Sequence, residues 1–262
     1  YNPLVISYLL VTMETVEWFV RKGSLIDADT RDSFQELKDD GIDVLNYDDV
    51  AFTLTGEMED GAVQRLAVDP SSLNYNLYNI LKTNSSEGSL LEWESPVALR
   101  KAVKNPVEIE GMRDIHVEDG VAMERFLYWL EKSIGNGGMV NEWDAACRLG
   151  SLRAEIAGYR GDSFETISAY GEGAALPHYI TPRTGAPVLE PRGLYLVDSG
   201  GQYMNGTTDI TRTIPLGPCT MLEKEDYTLV LKGHIDLAMA VFPRGTAGRP
   251  PGVRARRPPW RA

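Results

Sequence analysis

Two folded parts are predicted from this chain: a small α/β layer over roughly the first 95 residues and an α+β domain after it. Three observations carry that reading. Short runs rich in β-branched and aromatic residues alternate with amphipathic stretches in the N-terminal part. Near "WESPVALRKAVKNP" the pattern gives way to one long helical period. From Thr166 to Pro215, turn-rich, strand-like segments dominate. The boundaries expected are residues 1–98, 99–245 and a divergent tail, 246–262.

"LVISYLLVTMETVEWFV" predicts a strand pair with a polar break near Glu14. "DADTRDSFQELKDDG" offers a capping residue, a helical stretch and a terminating Gly41. "IDVLNY" and "RLAVD" read as short strands, and "PSSLNYNLYNILK" as a helix before the polar "TNSSEGS". Glu57, Glu59 and Asp60 in "GEMEDG" read as a solvated acidic loop.

Asn105 caps a long helix with Pro106 at its first position. Ile109, Met112, His116, Met123, Phe126 and Leu130 lie along one face, so His116 reads as a packed structural histidine. Asn141 caps a second helix running to about Ala157, in which Cys147 is expected to be inert packing. Thr220 and Glu223 form a capping-box pattern opening a helix through Val241. His234 falls on its inner face with Tyr227, Val230, Leu237 and Val241, which favours packing over ligation. The stretch from Arg244 holds six arginines, four prolines and no acid, and no packed element is expected there.

Composition bounds the function. Hydrophobic residues make 43% and charged residues 24%, ordinary for a soluble globular protein. With 38 acidic and 26 basic side chains, the net charge of −12 argues against a nucleic-acid surface and favours solubility or a site that attracts cations. Cys147 and Cys219 show no C-x-x-C spacing, which points to a reducing, cytoplasmic compartment. The apolar first twenty residues carry Glu14 and Glu17 and lack a basic flank, so neither a signal peptide nor a membrane span is expected. The chain opens without Met and is expected to be a fragment or a processed product.

The chemistry concentrates in "YLVDSGGQYMNGTTDITRT". "GLYLVD" and "TTDITRT" alternate as strands do, around a Gly- and Asn-containing turn. Pairing about the midpoint of 203 and 204 sets Asp198 opposite Asp209, Leu196 opposite Thr211 and Leu194 opposite Thr213. Opposed carboxylates either share a proton or are neutralised by a cation, and hard divalent ions take such oxygens readily. A solvated hairpin whose acids splay apart is the competing reading. His178 sits among Pro177, Tyr179, Pro182 and Gly185, as an irregular loop entering a strand, where functional residues concentrate. "GEGAALP" lacks the lysine a phosphate loop needs.

"DSGGQYMNGTTDITRT" resembles the first metal-ligand segment of the pita-bread metallopeptidases. "KNPVEIEGMRDIHVEDGVA" resembles the opening catalytic helix of aminopeptidase P, the Xaa-Pro aminopeptidase of that family, and "HYITP" its active-site histidine segment. "EKEDYTLVLKGHI" is similar to the helix that follows, and "YNPLVISYLLVT" to the end of the preceding, creatinase-type domain. The resemblance implies that Asp198 ligates one metal and Asp209 bridges two, with His178 beside the substrate and Thr211 supporting the metal site. It further implies two divalent ions, most commonly Mn²⁺ with Zn²⁺ or Co²⁺ as alternatives. A hydroxide held between them attacks the bond before a proline at the peptide's second position. A homodimer is an assembly the resemblance admits.

The chain departs from the pattern after "VFPRGT". The resemblance implies three further ligands, a histidine and two glutamates, and the His-Gly-Thr-Gly-His-type motif is absent. An incomplete pita-bread domain, binding metal weakly and nearly inactive alone, is therefore expected. The alternative is a non-catalytic relative acting as a peptide-binding or interaction module.

Overall fold

Thr12 makes the break between the first two strands. Its hydroxyl oxygen accepts from the N–H groups of Glu14 at 3.1 Å and Thr15 at 2.8 Å, closing the turn between β1 (Ser7–Val11) and β2 (Val16–Val20). These strands pair antiparallel, and β3 (Ile42–Asn46) joins β2 in parallel. The computed structural model describes residues 5–21 and 35–261. Residues 35–39 are helical and end at Gly41, whose φ of 79° favours glycine. The expected cap of that helix lies outside the described residues.

The chain divides into two compact units at Asn105/Pro106. In the first, α1 (Val50–Glu59) buries Val50 and Leu54 against Phe19, Leu77 and Leu81. This corrects the acidic-loop reading: Glu57 and Glu59 are helical and Asp60 caps the C-terminus. Val50 and Leu54 stand at i and i+4, and their burial outweighs the charge run that follows them. β4 (Leu66–Val68) pairs in parallel with β5 (Leu90–Glu92) across α2 (Tyr75–Asn84), which is capped by the Asn74 side chain. α3 (Pro96–Ala102), with Ser95 as its cap, closes this unit.

Glu17 of β2 faces Asp43 in the parallel register, and one oxygen each of Glu17 and Glu57 is buried without a partner. Burial first, then the charge and hydrogen bond of the Glu57 carboxyl, and Asp43 last, raise the Glu17 pKa above its ordinary range. A raised carboxyl pKa favours the protonated fold. Its contribution is present below the ordinary glutamate range and lost as pH rises through the elevated value. Glu57→Gln is expected to flatten that decline, read by urea unfolding of wild type and variant from pH 4 to 8. Parallel pH profiles would refute the linkage.

The second unit is built on α4 (Pro106–Gly135), packed against α5 (Glu142–Arg153). Asn141 caps α5 by accepting from the Asp144 N–H at 2.8 Å. Three strands, β7 (Ile167–Tyr170), β8 (Leu194–Ser199) and β10 (Ile210–Pro215), form an antiparallel sheet in the order β10-β8-β7. β6 (Tyr159–Asp162) and β9 (Gly201–Tyr203) form a separate pair. Met123, Phe126 and Leu130 of α4 meet Leu149 and Leu152 of α5 and Tyr195 and Val197 of β8 in one core.

The buried stripe of α4 differs from the expected one in its first half. Ile115, Asp119 and Ala122 are buried, whereas Ile109, Met112 and His116 are exposed. Hydrophobic periodicity discounts an aspartate, yet Asp119 is buried because Arg153 of α5 neutralises it, at 2.6 Å from Nε. His116 is thus not packed, and its Nδ1 lies 2.6 Å from the Met112 carbonyl oxygen on the surface. Cys147 is likewise exposed, since its helix turns Ala145, Ala146 and Leu149 inward.

The capping box at Thr220 and Glu223 is complete and opens α6 (Met221–Ala238). The Thr220 N–H and hydroxyl donate to Glu223, lowering its pKa. The expected inner face of α6 is corrected: His234, Tyr227, Val230 and Leu237 are exposed, as is Val241 beyond the helix. Gly233 alone is buried in α6. Against it lies the Ala255 carbonyl of α7 (Arg249–Arg261), a helix where none was expected. Pro250 and Pro251 fall in the first turn of α7, where a missing N–H breaks no helical bond.

Candidate functional site

The strand β8 alternates strictly. Tyr195, Val197 and Ser199 are buried, while Leu194, Leu196 and Asp198 are half-buried on the other face. β10 pairs with it at Thr211↔Asp198, Thr213↔Leu196 and Pro215↔Leu194. The expected pairing of Asp198 with Asp209 is therefore wrong by two residues, as are those of Leu196 and Leu194. The turn explains the shift. It closes one residue later, where the Tyr203 N–H donates to the Gly206 carbonyl at 2.9 Å. The tip sits on the first turns of α4: a methyl on Gly206 would lie 2.7 Å from Met112 Sδ, and Asn205 lies against Gly111.

A slip of two residues preserves the face. The ladder holds on both sides of Asp209, at Ile210↔Ser199 and from Thr208 N–H to the Gly201 carbonyl, so Asp209 lies level with Gly200. Asp198 and Asp209 are diagonal neighbours on one face, a relation that sets backbones about 7–8 Å apart. Thr211, opposite Asp198, donates from Oγ1 to Asp198 Oδ1 at 2.8 Å. That bond orients one carboxylate oxygen and leaves the other without a hydrogen bond among the described residues. Asp209 is exposed.

His178 is exposed in a turn after a short 3-10 segment (Gly171–Ala175) that contains "GEGAA". No strand follows it directly; the chain runs irregularly to β8 because Tyr179 and Thr181 bind side chains and backbone of α5 and β7 rather than a ladder. Among the described residues, no group of three or more His, Cys, Asp or Glu side chains is placed to hold a metal. The donor chemistry of the hairpin nevertheless fits a hard cation in part, with two carboxylates on one face and one of them held by a hydroxyl.

Hydrophobicity-based reading missed a buried group beneath the hairpin. Arg153 reaches Asp119 with Nε at 2.6 Å and a terminal nitrogen at 3.3 Å, and both side chains are fully buried. Tyr203 of β9 donates its hydroxyl to the same carboxylate at 3.2 Å. Burial above all raises the Tyr203 pKa, so the phenol keeps its donor proton. Tyr159 stacks edge-on against Tyr203, with ring centroids 5.7 Å apart. A charge of each sign at helical spacing on two adjacent helices was the only sequence signal for this pair.

Comparison with known proteins places the whole chain. Residues 1–108 match the creatinase/prolidase N-terminal domain, and residues 110–262 match metallopeptidase family M24. A probable Xaa-Pro aminopeptidase P of Coccidioides posadasii is 38% identical over 269 residues, covering 100% of this chain and 40% of that protein. Its counterpart in Sordaria macrospora is 36% identical over 272 residues, covering 100% of the chain and 42% of the relative. Among solved structures, the X-prolyl aminopeptidase of Caenorhabditis elegans aligns over 99% of the chain and 42% of its own, at TM-score 0.88 and 33% identity. That protein is described as a cytosolic enzyme with a di-nuclear active site. The Xaa-Pro dipeptidase of Bacillus anthracis shares the fold at TM-score 0.74 and 20% identity, covering 99% of the chain and 68% of its own. The chain spans about two fifths of the length of the curated relatives it matches. Its two units are thus a creatinase-type N-terminal domain and part of a pita-bread domain, and the chain belongs to the M24 metallopeptidases, among homologues named Xaa-Pro aminopeptidase P.

Proposed function

We propose that this chain carries part of the site of a metal-dependent Xaa-Pro aminopeptidase acting on peptides with proline at the second position. The observation that supports it is the hairpin itself: Asp198 and Asp209 on one face, with Thr211 holding Asp198 by a 2.8 Å hydrogen bond. Asp198 and Asp209 would hold the divalent ions, with Mn²⁺ the expected metal. When bound, such ions polarise the scissile carbonyl and make a nucleophile available near neutral pH. Thr211 fixes the direction of the Asp198 carboxylate. His178, exposed on its turn, faces the substrate near the bond before proline. Proline in the substrate lacks an N–H, so recognition rests on shape. The cytoplasm, the setting described for the Caenorhabditis elegans relative, and a homodimeric assembly complete this reading.

Two carboxylates alone hold a hydrated hard ion weakly, and no third ligand of the usual types joins them among the described residues. The chain is therefore expected to bind Mn²⁺ at millimolar rather than micromolar levels and to show little cleavage alone. Calorimetric titration with Mn²⁺ tests this: weak uptake that disappears in Asp209→Asn supports the reading. Uptake unaffected by that change would favour a non-catalytic interaction module. Vigorous Mn²⁺-dependent cleavage of an Arg-Pro-Pro peptide by the purified chain would contradict the low activity.

A further inference from the structure

The segment His178–Thr181 alternates like a strand without belonging to a sheet. His178 and Ile180 are exposed, whereas Tyr179 is half-buried and Thr181 is 3% exposed. The two inward residues are tied down separately. Thr181 Oγ1 accepts from the Ser168 N–H at 2.9 Å and lies 3.2 Å from the Ser168 carbonyl oxygen, to which it donates. Tyr179 donates its hydroxyl to Glu142 Oε2 at 2.6 Å. Its ring lies over Gly173, where a methyl would stand 3.0 Å from the nearest ring atom.

Glu142 is the unusual member. It is the first residue of α5, where an acid suits the helix dipole, yet its side chain is fully buried rather than turned to solvent. A buried carboxyl is costly unless hydrogen-bonded. Here Oε1 accepts from the Tyr170 N–H at 2.6 Å while Oε2 accepts from Tyr179, and the Glu142 carbonyl accepts from Ser168 Oγ at 2.7 Å. One residue thus joins the end of β7 to the loop beyond it. Among the described residues, the Glu142 carboxylate oxygens are shared between the end of β7 and the His178 loop.

We infer that Glu142 is a positioning residue for His178, acting through Tyr179 to present the imidazole outward from a fixed backbone. This rests on the reading of His178 as a substrate-facing residue; its geometry and its test do not require metal or turnover. With Tyr179 and Thr181 anchored on either side of Ile180, the exposed pair His178 and Ile180 is held at constant separation and direction. Loss of the Tyr179 anchor frees His178, while the Thr181 anchor keeps the loop attached.

Tyr179→Phe is the probe, since it removes one hydroxyl and keeps the ring over Gly173. The chain has three histidines, so ring signals of His116 and His234 serve as internal controls for His178 in an NMR spectrum. Expected results are a mobile His178 ring and a roughly ten-fold faster amide exchange at Tyr179, as the loss of about one hydrogen bond implies. Exchange at Tyr170, still held by Glu142, is expected to change less than about two-fold. Glu142→Gln, which keeps an acceptor for Tyr170 and an amide that donates to the Tyr179 oxygen, is expected to retain an ordered His178. An unchanged His178 ring in Tyr179→Phe would overturn the proposal. So would a uniform rise in exchange across the unit, because that marks a merely structural contact. Failure of the Mn²⁺ titration above would leave this result untouched and so is separable from it.

Discussion

Asp119→Ala is expected to destabilise the second unit by about 3–5 kcal/mol, because it strands a guanidinium in the core. Arg153 is fully buried, and one of its terminal nitrogens already lacks a partner. Removing Asp119 leaves the other two donors unsatisfied and an uncompensated charge where water cannot reach. The attraction itself is a lesser part of the effect, since a buried pair recovers mainly its own desolvation. Two controls separate these contributions. Asp119→Asn retains a bond to Arg153 and is expected to lose less; Asp119→Leu with Arg153→Met removes both charges and is expected to recover most of the stability. Urea unfolding measures all three, and a loss below about 1 kcal/mol for Asp119→Ala would show that solvent reaches Arg153 after all. Tyr203 also loses its acceptor in Asp119→Ala, so amide exchange in β9 is expected to rise beyond that of β7.

Gly200→Ala is expected to cost about 3 kcal/mol or more and to misplace both hairpin carboxylates. A methyl at this position would run into the Thr208 carbonyl and the Ser163 hydroxyl. The carbonyl is backbone on the facing arm of the hairpin, so it cannot rotate away as a side chain would. Relief requires separation of the two arms between Asp198 and Asp209, the stretch that sets their diagonal relation. Gly206→Ala provides the contrast: its first collision is with the flexible Met112 thioether at 2.7 Å, so a milder loss is expected. Equal losses for the two changes, measured by urea unfolding, would argue that the crossing at Gly200 is loose.

The strands of the hairpin were legible in the chain, and the errors in its register and in the helix faces share a cause. Alternation in "GLYLVD" and "TTDITRT" predicted two paired strands around a turn, and β8 and β10 are those strands. The pairing partner of Asp198 was misjudged because Asn205 and Gly206 allow the turn to close about either of two adjacent midpoints. Docking of Asn205 and Gly206 on α4 selects the later one. His116 and His234 were placed inside by helical periodicity, but periodicity has no means of weighing an Asp–Arg pair or a glycine contact. The Glu142 anchor left no trace at all, since an acid at a helix start is already accounted for by the helix dipole.

Caps, turns and strand alternation are written along the chain because they depend on neighbours within about four residues. Thr12 closing its turn, Asn141 on Asp144 and Thr220 with Glu223 all behave as their local chemistry requires. The two-residue register, the burial of Asp119 with Arg153, and the tether from Glu142 to Tyr179 join residues 11 to 37 positions apart. Such unions are settled by which charges and hydroxyls meet once water is excluded, and only packing brings them together.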